Sequence, residues 1–269
     1  MESAIEHIAG ICCLSRWEGV LMVMLTAAFD VSQDQPGRTF LAMAGFVSEA
    51  ESWKEFDREW RQRLAADGLT YFHMNPFAQS RGPFNGWDRQ EDRRRKLLSD
   101  LLDIIVAHAR QKFACVVQAK VAAAMPDKAR EIFGAELLAI AGSSIVGLVL
   151  NWRDREKYQA QPELVFEEGD LGKGALMERI RTLTGQDPIF RRKKDSPQEG
   201  ITGFTPLQAA DILAYEVKKL TDEVGGVLAD DFQLRFPYRQ LNLIQGEPRI
   251  FTLETVRVAE MYARAISIL

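Results

Sequence analysis

Two apolar runs open the chain, Leu21 to Phe29 and Thr39 to Val47, and only the turn-rich stretch VSQDQPGR separates them. Runs of that length, rich in β-formers and joined by turn residues, read as a hairpin that starts a sheet. The segments after it alternate in period. Trp53, Phe56, Trp60 and Leu64 recur at helical spacing behind Ser48, an expected N-cap. After a loop holding TYFHMNPFAQSRGPFNGW come a helix from about Gln90 to Ala109 and a strand from Phe113 to Lys120. One long buried helix is expected over Pro126 to Trp152, a strand over Pro162 to Phe166, and a helix over Lys173 to Leu183. PIFRRKK reads as a further strand, SPQEGITGF as a loop, and Thr205 to Leu220 as a helix opened by Thr205 and Pro206. Strands first, then helices alternating with strands, predict an α/β domain with a mixed sheet flanked by helices. An amphipathic helix is expected from Leu253 to Leu269, closing the core.

With 269 residues, 46% of them hydrophobic, and no linker or repeat, the chain reads as one domain from residue 22 onward. The formal charge of −4 excludes a generally basic nucleic-acid coat but not a nuclease, whose bound cations and local basic patches meet the phosphates. Cys12, Cys13 and Cys115 form no C-x-x-C pair, so reduced thiols in a cytoplasmic protein are expected rather than disulfides or a zinc site. Arg16, Trp17, Glu18 and Gly19 interrupt the apolar stretch from Ile8 to Leu25, and no secretory leader or membrane span is expected. Trp17-Glu18-Gly19 can be encoded by a purine-rich stretch like a bacterial ribosome-binding site. Translation is therefore expected to start at Met22 or Met24, with residues 1–21 non-native or disordered, and an intact mass of the natively expressed protein tests this.

Three acidic sites each end or follow an apolar run: Asp30 in LTAAFDVS, Glu167 and Glu168 in ELVFEEGD, and Asp211 in LQAADILAYE. An acid just past a buried strand and an acid on a helix packed across the sheet can meet. Carboxylates that close repel unless a cation lies between them, which points to divalent metal. On the Thr205 to Leu220 helix, Gln208, Asp211 and Tyr215 share a face and Glu216 is turned away, so Asp211 is the metal candidate there; an acid inside such a helix needs a partner, either a metal or an Arg or Lys. Alternation sends Glu167 and Glu168 to opposite faces, and either can be the ligand. Each acid alone is more often a solvated turn residue or a cap. The Arg191-Arg192-Lys193-Lys194 run is a candidate phosphate holder, although such runs usually form a solvated face, as do Arg93, Arg94, Arg95 and Lys96. His73 in YFHMN is a structural histidine or a proton shuttle. No G-x-S-x-G elbow, P-loop or G-x-G-x-x-G fingerprint is present.

The run AAFDVSQDQPGRTFLAMAGFV, the helix with W-x-x-F-x-x-x-W, YFHM with the later FNGW, and the late Q-x-A-D-I-L-A-Y-E, taken in order, resemble the domain-of-unknown-function family 3800 over roughly residues 22–220. The resemblance implies a ribonuclease H-like fold with helical insertions. It also implies an acidic site made by Asp30, Glu167 or Glu168, and Asp211, with His73 in a family motif. Members are similar to bacterial, phage and mobile-element proteins. The implied activity is phosphodiester cleavage by a nuclease using Mg²⁺ or Mn²⁺, with two ions about 3.5–4 Å apart, and the implied partner is nucleic acid. The chain departs from the family's Asp-Glu-Ser-Gly signature. Val31 stands in place of Glu and Gln33 in place of Gly, with Asp34 nearby. A catalytically silent binding or regulatory module in a defence or mobile-element system is the alternative this departure favours. A phosphatase or nucleotide hydrolase would use the same cluster on a smaller substrate.

Overall fold

The computed structural model describes residues 24–33, 39–169, 172–224, 233–246 and 248–257. The N-terminal segment before Met24, Asp34, and the expected helix beyond residue 257 lie outside them. In chain order the elements are β1 (Leu25–Gln33), β2 (Phe40–Glu49), α1 (Ala50–Ala65), α2 (Met74–Ala78), α3 (Glu91–His108), β3 (Gln111–Gln118), α4 (Ala119–Ala123), α5 (Asp127–Phe133) and α6 (Leu137–Arg155). Then follow β4 (Glu163–Glu167), α7 (Lys173–Thr184), β5 (Ile189–Arg191), α8 (Pro206–Val224), α9 (Phe236–Leu241) and β6 (Pro248–Phe251).

The opening hairpin forms, with Leu25 opposite Glu49 and Gln33 opposite Leu41, and β3 extends it antiparallel on the far side of β2. On the other side β4 and then β5 add parallel to β1, while β6 runs parallel to β3 at the opposite edge. The resulting order, β5-β4-β1-β2-β3-β6, is a six-stranded mixed sheet flanked by helices, an antiparallel meander first and parallel crossovers after it.

Strand alternation divides the apolar residues between two faces. Ala28, Ala44, Phe46 and Val165 face α1, α3 and α8, where Trp53, Phe56, Trp60, Leu101, Leu207 and Ile212 are buried against them. Leu25, Ala27, Phe29, Met43, Leu164 and Phe166 face α6 and α7 with Ile140, Ile145, Val149 and Leu176. Burial on both faces explains why the strands read as continuous apolar runs.

Several expectations need correction. β1 continues through Gln33, so Asp30 sits within the strand opposite Ala44 rather than just past its end. Ser48 does not cap α1. Its Oγ donates to the carbonyl of His108 at 2.6 Å, tying α3 to β2, and Glu49 takes the N-cap position without a side-chain bond. The long helix expected from Pro126 to Trp152 breaks into α5 and α6, which meet at 64°. Gly134 makes the break at φ 91°, where an added Cβ would lie 2.7 Å from that of Ala139, so only glycine turns the chain there. The expected loop between α1 and α3 carries α2 and two short 3-10 turns, and α9 and β6 were not foreseen. Among the described residues no single helix is long and apolar enough to cross a membrane.

Candidate functional site

Parity along two strands selects the acids. Asp30 has the parity of Ala28 on β1, and Glu167 that of Val165 on β4, so both face α8. The strands are parallel and pair through Phe29 opposite Phe166, which makes Asp30 and Glu167 neighbours one step further on. Asp211 reaches the same place from α8. His73 comes from the stretch before α2, where it is the extended N-cap residue with φ −145°.

What these groups surround is an ammonium. Lys193 Nζ lies 2.7 Å from Asp30 Oδ2, 2.7 Å from Glu167 Oε2 and 3.1 Å from Asp211 Oδ1. His73 Nε2 is 3.3 Å from the same Asp211 oxygen. Asp30 is 2% exposed and Asp211 7%, and the Lys193 side chain is 10% exposed, so the cluster is nearly dry.

Burial sets the electrostatics. For Asp30, burial opposes ionisation, but the Lys193 charge and hydrogen bonds from Glu167, Lys193 and the Val31 N–H outweigh it and hold the carboxyl below its ordinary range. Burial, with the adjacent Asp30 charge, pushes Glu167 up to about 8. Burial likewise pushes Asp211 up to about 7, against the pull of Lys193. Lys193 itself is raised, because three carboxylates overcome the cost of burying its charge. Burial and the neighbouring Lys193 charge lower His73 to about 4, so its imidazole is neutral near pH 7.

Gln208, one turn before Asp211, holds this geometry together. Its Oε1 accepts from Trp60 Nε1 at 2.8 Å and from the Phe72 N–H at 2.7 Å, and its Nε2 donates to the Lys193 carbonyl at 2.5 Å. One side chain thereby links α1, the YFHM segment and the strand-to-loop turn that delivers Lys193. The Met74 N–H donates to Asp211 Oδ2 at 2.5 Å, which aims the other oxygen at Lys193. On the far side of Lys193 the loop is clamped to α1. Arg61 bridges Asp57 and Asp195 at 2.9 and 3.0 Å, and Gly203 packs so close that an added Cβ would lie 2.5 Å from the Lys194 carbonyl carbon.

Not every predicted residue joins the cluster. Glu168 has the opposite parity, is exposed and pairs with Arg192 at 3.2 Å. Glu216 is turned away as expected and pairs with Arg235 at 2.9 Å. Val31 packs against the α6 and α7 face, so the acid that the signature has at this position would not point at Asp211. The basic run is split. Arg192 pairs with Glu168 and Glu199, Lys193 enters the cluster, and Lys194 lies 5.7 Å from the centre of the Tyr71 ring. Arg93, Arg95 and Lys96 serve ion pairs to Asp67, Glu91 and Asp100, and Arg94 bonds to Ser80 and the Phe77 carbonyl. A Lys or Arg is one of the two partners expected for Asp211, but Lys193 is not singled out from its run as that partner. The Gln208 spacing was the one local signal near it.

The donor chemistry bears on metal. Carboxylate oxygens from three separate elements suit a hard dication, and Lys193 Nζ stands in for a cation at the point on which they converge. With the ammonium there, no three His, Cys, Asp or Glu donors among the described residues are arranged around a metal position. The point on which the three acids converge is taken by the Lys193 ammonium.

Beside the cluster opens a cleft of about 260 Å³ lined by Tyr71, His73, Glu167, Glu168, Arg192, Lys193 and Lys194. No family model matches the chain, and no curated protein matches it. Among solved structures it is similar to a chain described as the PCNA:RNase HII complex from Archaeoglobus fulgidus. That similarity has 14% identity and a TM-score of 0.36, over 81% of this chain and 87% of that one.

Proposed function

We propose that this chain is a cytoplasmic, single-domain member of the domain-of-unknown-function family 3800 and a divalent-metal-dependent nuclease. In this reading Asp30, Glu167 and Asp211 hold Mg²⁺ or Mn²⁺. The observation that carries it is the convergence of three acids, from two parallel strands and a crossing helix, on one buried cation position. Gathering two buried carboxylates and a third, partly buried one around a single ammonium carries a large desolvation cost that one charge leaves uncompensated. Perturbed, converging titratable groups beside a cleft mark a functional site.

When bound, the metal supplies charge to lower the pKa of an attacking water and to stabilise the oxygen that leaves phosphorus. The protein's own groups do the rest. The Met74 N–H fixes Asp211 from behind, and Gln208 holds the Phe72 amide and the Lys193 carbonyl beside it, so the site is preorganised. Lys193, displaced from the acids, stays within reach of the cleft and neutralises a phosphate oxygen. His73, neutral and at the cleft wall, accepts a proton from water.

One observation favours a second reading: Lys193 satisfies all three acids at once, as it would in a silent module that has replaced its metal by an internal cation. Cleavage of labelled DNA and RNA by the wild type, Asp30→Asn and Asp211→Asn, with Mg²⁺, Mn²⁺ or chelator, separates the two. Metal-dependent cleavage lost in both variants supports the nuclease. Absence of cleavage on every substrate leaves the silent module.

A further inference from the structure

The cleft has a chemistry beyond the acids. At about 260 Å³ it lies at the small end of ligand pockets, which run about 300–1,000 Å³. Glu167, His73 and Lys193 of the cluster line it, whereas Asp30 and Asp211, 2% and 7% exposed, do not.

The wall is equally specific. Tyr71 is half-buried and makes no ring-to-ring contact with a described aromatic residue. Lys194 makes no ion pair with a described carboxylate. Its Nζ lies 5.7 Å from the Tyr71 ring centre, near the outer limit of about 6 Å for a cation–π contact, so it is free to leave for a stronger partner. An aromatic face beside an unneutralised ammonium, at the mouth of a one-unit recess, is the pairing that single-strand binders use: a base stacks and its phosphate meets the cation.

We infer that the cleft binds single-stranded nucleic acid, with one base stacked on Tyr71 and the adjoining phosphate held by Lys194 at the mouth of the acidic recess. This rests on the nuclease reading for the fate of the phosphate, but its binding contacts stand apart from the acids. Tyr71 is a specificity-determining residue in this account, and Lys194 sets the electrostatic part of the affinity.

Fluorescence anisotropy with phosphorothioate oligonucleotides, which resist hydrolysis, tests it in Mg²⁺ and in chelator. The wild type is expected to bind a single strand at least tenfold more tightly than the same sequence as a duplex. Tyr71→Ala should weaken single-strand binding about tenfold or more, in line with stacking losses, while Tyr71→Phe retains it. Lys194→Ala should flatten the dependence of affinity on salt by roughly 0.7 in log–log slope, the value for one phosphate contact on a single strand. Equal binding of duplex, no binding of either, or affinity indifferent to Tyr71→Ala overturns the inference. The two proposals fail separately. Metal-dependent cleavage that ignores Tyr71 leaves the nuclease and removes the stacking site, whereas Tyr71-dependent binding without cleavage does the reverse.

Discussion

Lys193 and Asp30 meet in a buried ion pair 2.7 Å long, joining the turn after β5 to the middle of β1 across 163 residues of sequence. Breaking a buried pair by removing one partner costs about 3–5 kcal/mol, because the remaining charge is stranded. Here three carboxylates are stranded together. Lys193→Met is therefore expected to lose about 3 kcal/mol or more of stability in chelator. Mn²⁺ should restore part of it, since a ligand bound only by the folded state stabilises by mass action. Thermal melts of wild type and variant with and without Mn²⁺ measure this, and a variant indifferent to the ion speaks against a metal site beneath the ammonium.

Gln208 satisfies three partners, the Trp60 indole, the Phe72 amide and the Lys193 carbonyl. Gln208→Leu keeps the bulk but leaves buried polar groups unpaired, each worth about 1–3 kcal/mol. A loss of about 2–5 kcal/mol is expected in urea unfolding. Loss under about 1 kcal/mol would mean that these groups find other partners.

Gly203→Ala places a methyl 2.5 Å from the Lys194 carbonyl carbon, which is backbone and cannot rotate aside. The turn must shift, at a cost of about 1–3 kcal/mol, and Lys193 moves with it. Wild-type-like stability together with wild-type-like metal response would show that the loop is more accommodating than its packing indicates.

Asp67 accepts from Arg93 Nε at 2.7 Å and from Arg63 at 2.8 Å. Burial alone would raise its carboxyl, but these two bonds outweigh burial and hold it below its ordinary value of 3.8. A depressed folded-state pKa contributes stability that is present above the unfolded value and lost as pH falls through the folded one. The stability gap between wild type and Asp67→Asn should thus be constant from pH 7 to about 5 and close below about pH 4. A gap that widens on acidification would reverse the sign and refute the assignment.

Much of the frame was legible because it depends on local pattern. The two apolar runs pair as a hairpin, and the residues Trp53, Phe56, Trp60 and Leu64 face the core. Asp30 and Asp211 stood out as acids set among apolar neighbours. The choice of Glu167 over Glu168 was beyond sequence, because it depends on which face of β4 meets α8. Lys193 was hidden by its company. Four consecutive cations read as a solvated face, and what turns one of them inward is non-local, namely Gln208 from α8, Arg61 from α1, and the close approach of Gly203. The break at Gly134 was masked because a lone glycine inside a helical pattern does not by itself end the helix; the breaker is its positive φ.

The most direct test of the account is a calorimetric titration of Mn²⁺ into the wild-type protein, Asp30→Asn and Lys193→Met. The account predicts saturable binding by the wild type, its loss in Asp30→Asn, and tighter binding by Lys193→Met, where no ammonium competes for the acids. No saturable binding by either the wild type or Lys193→Met would contradict it, and Lys193 would then be the permanent occupant of the site.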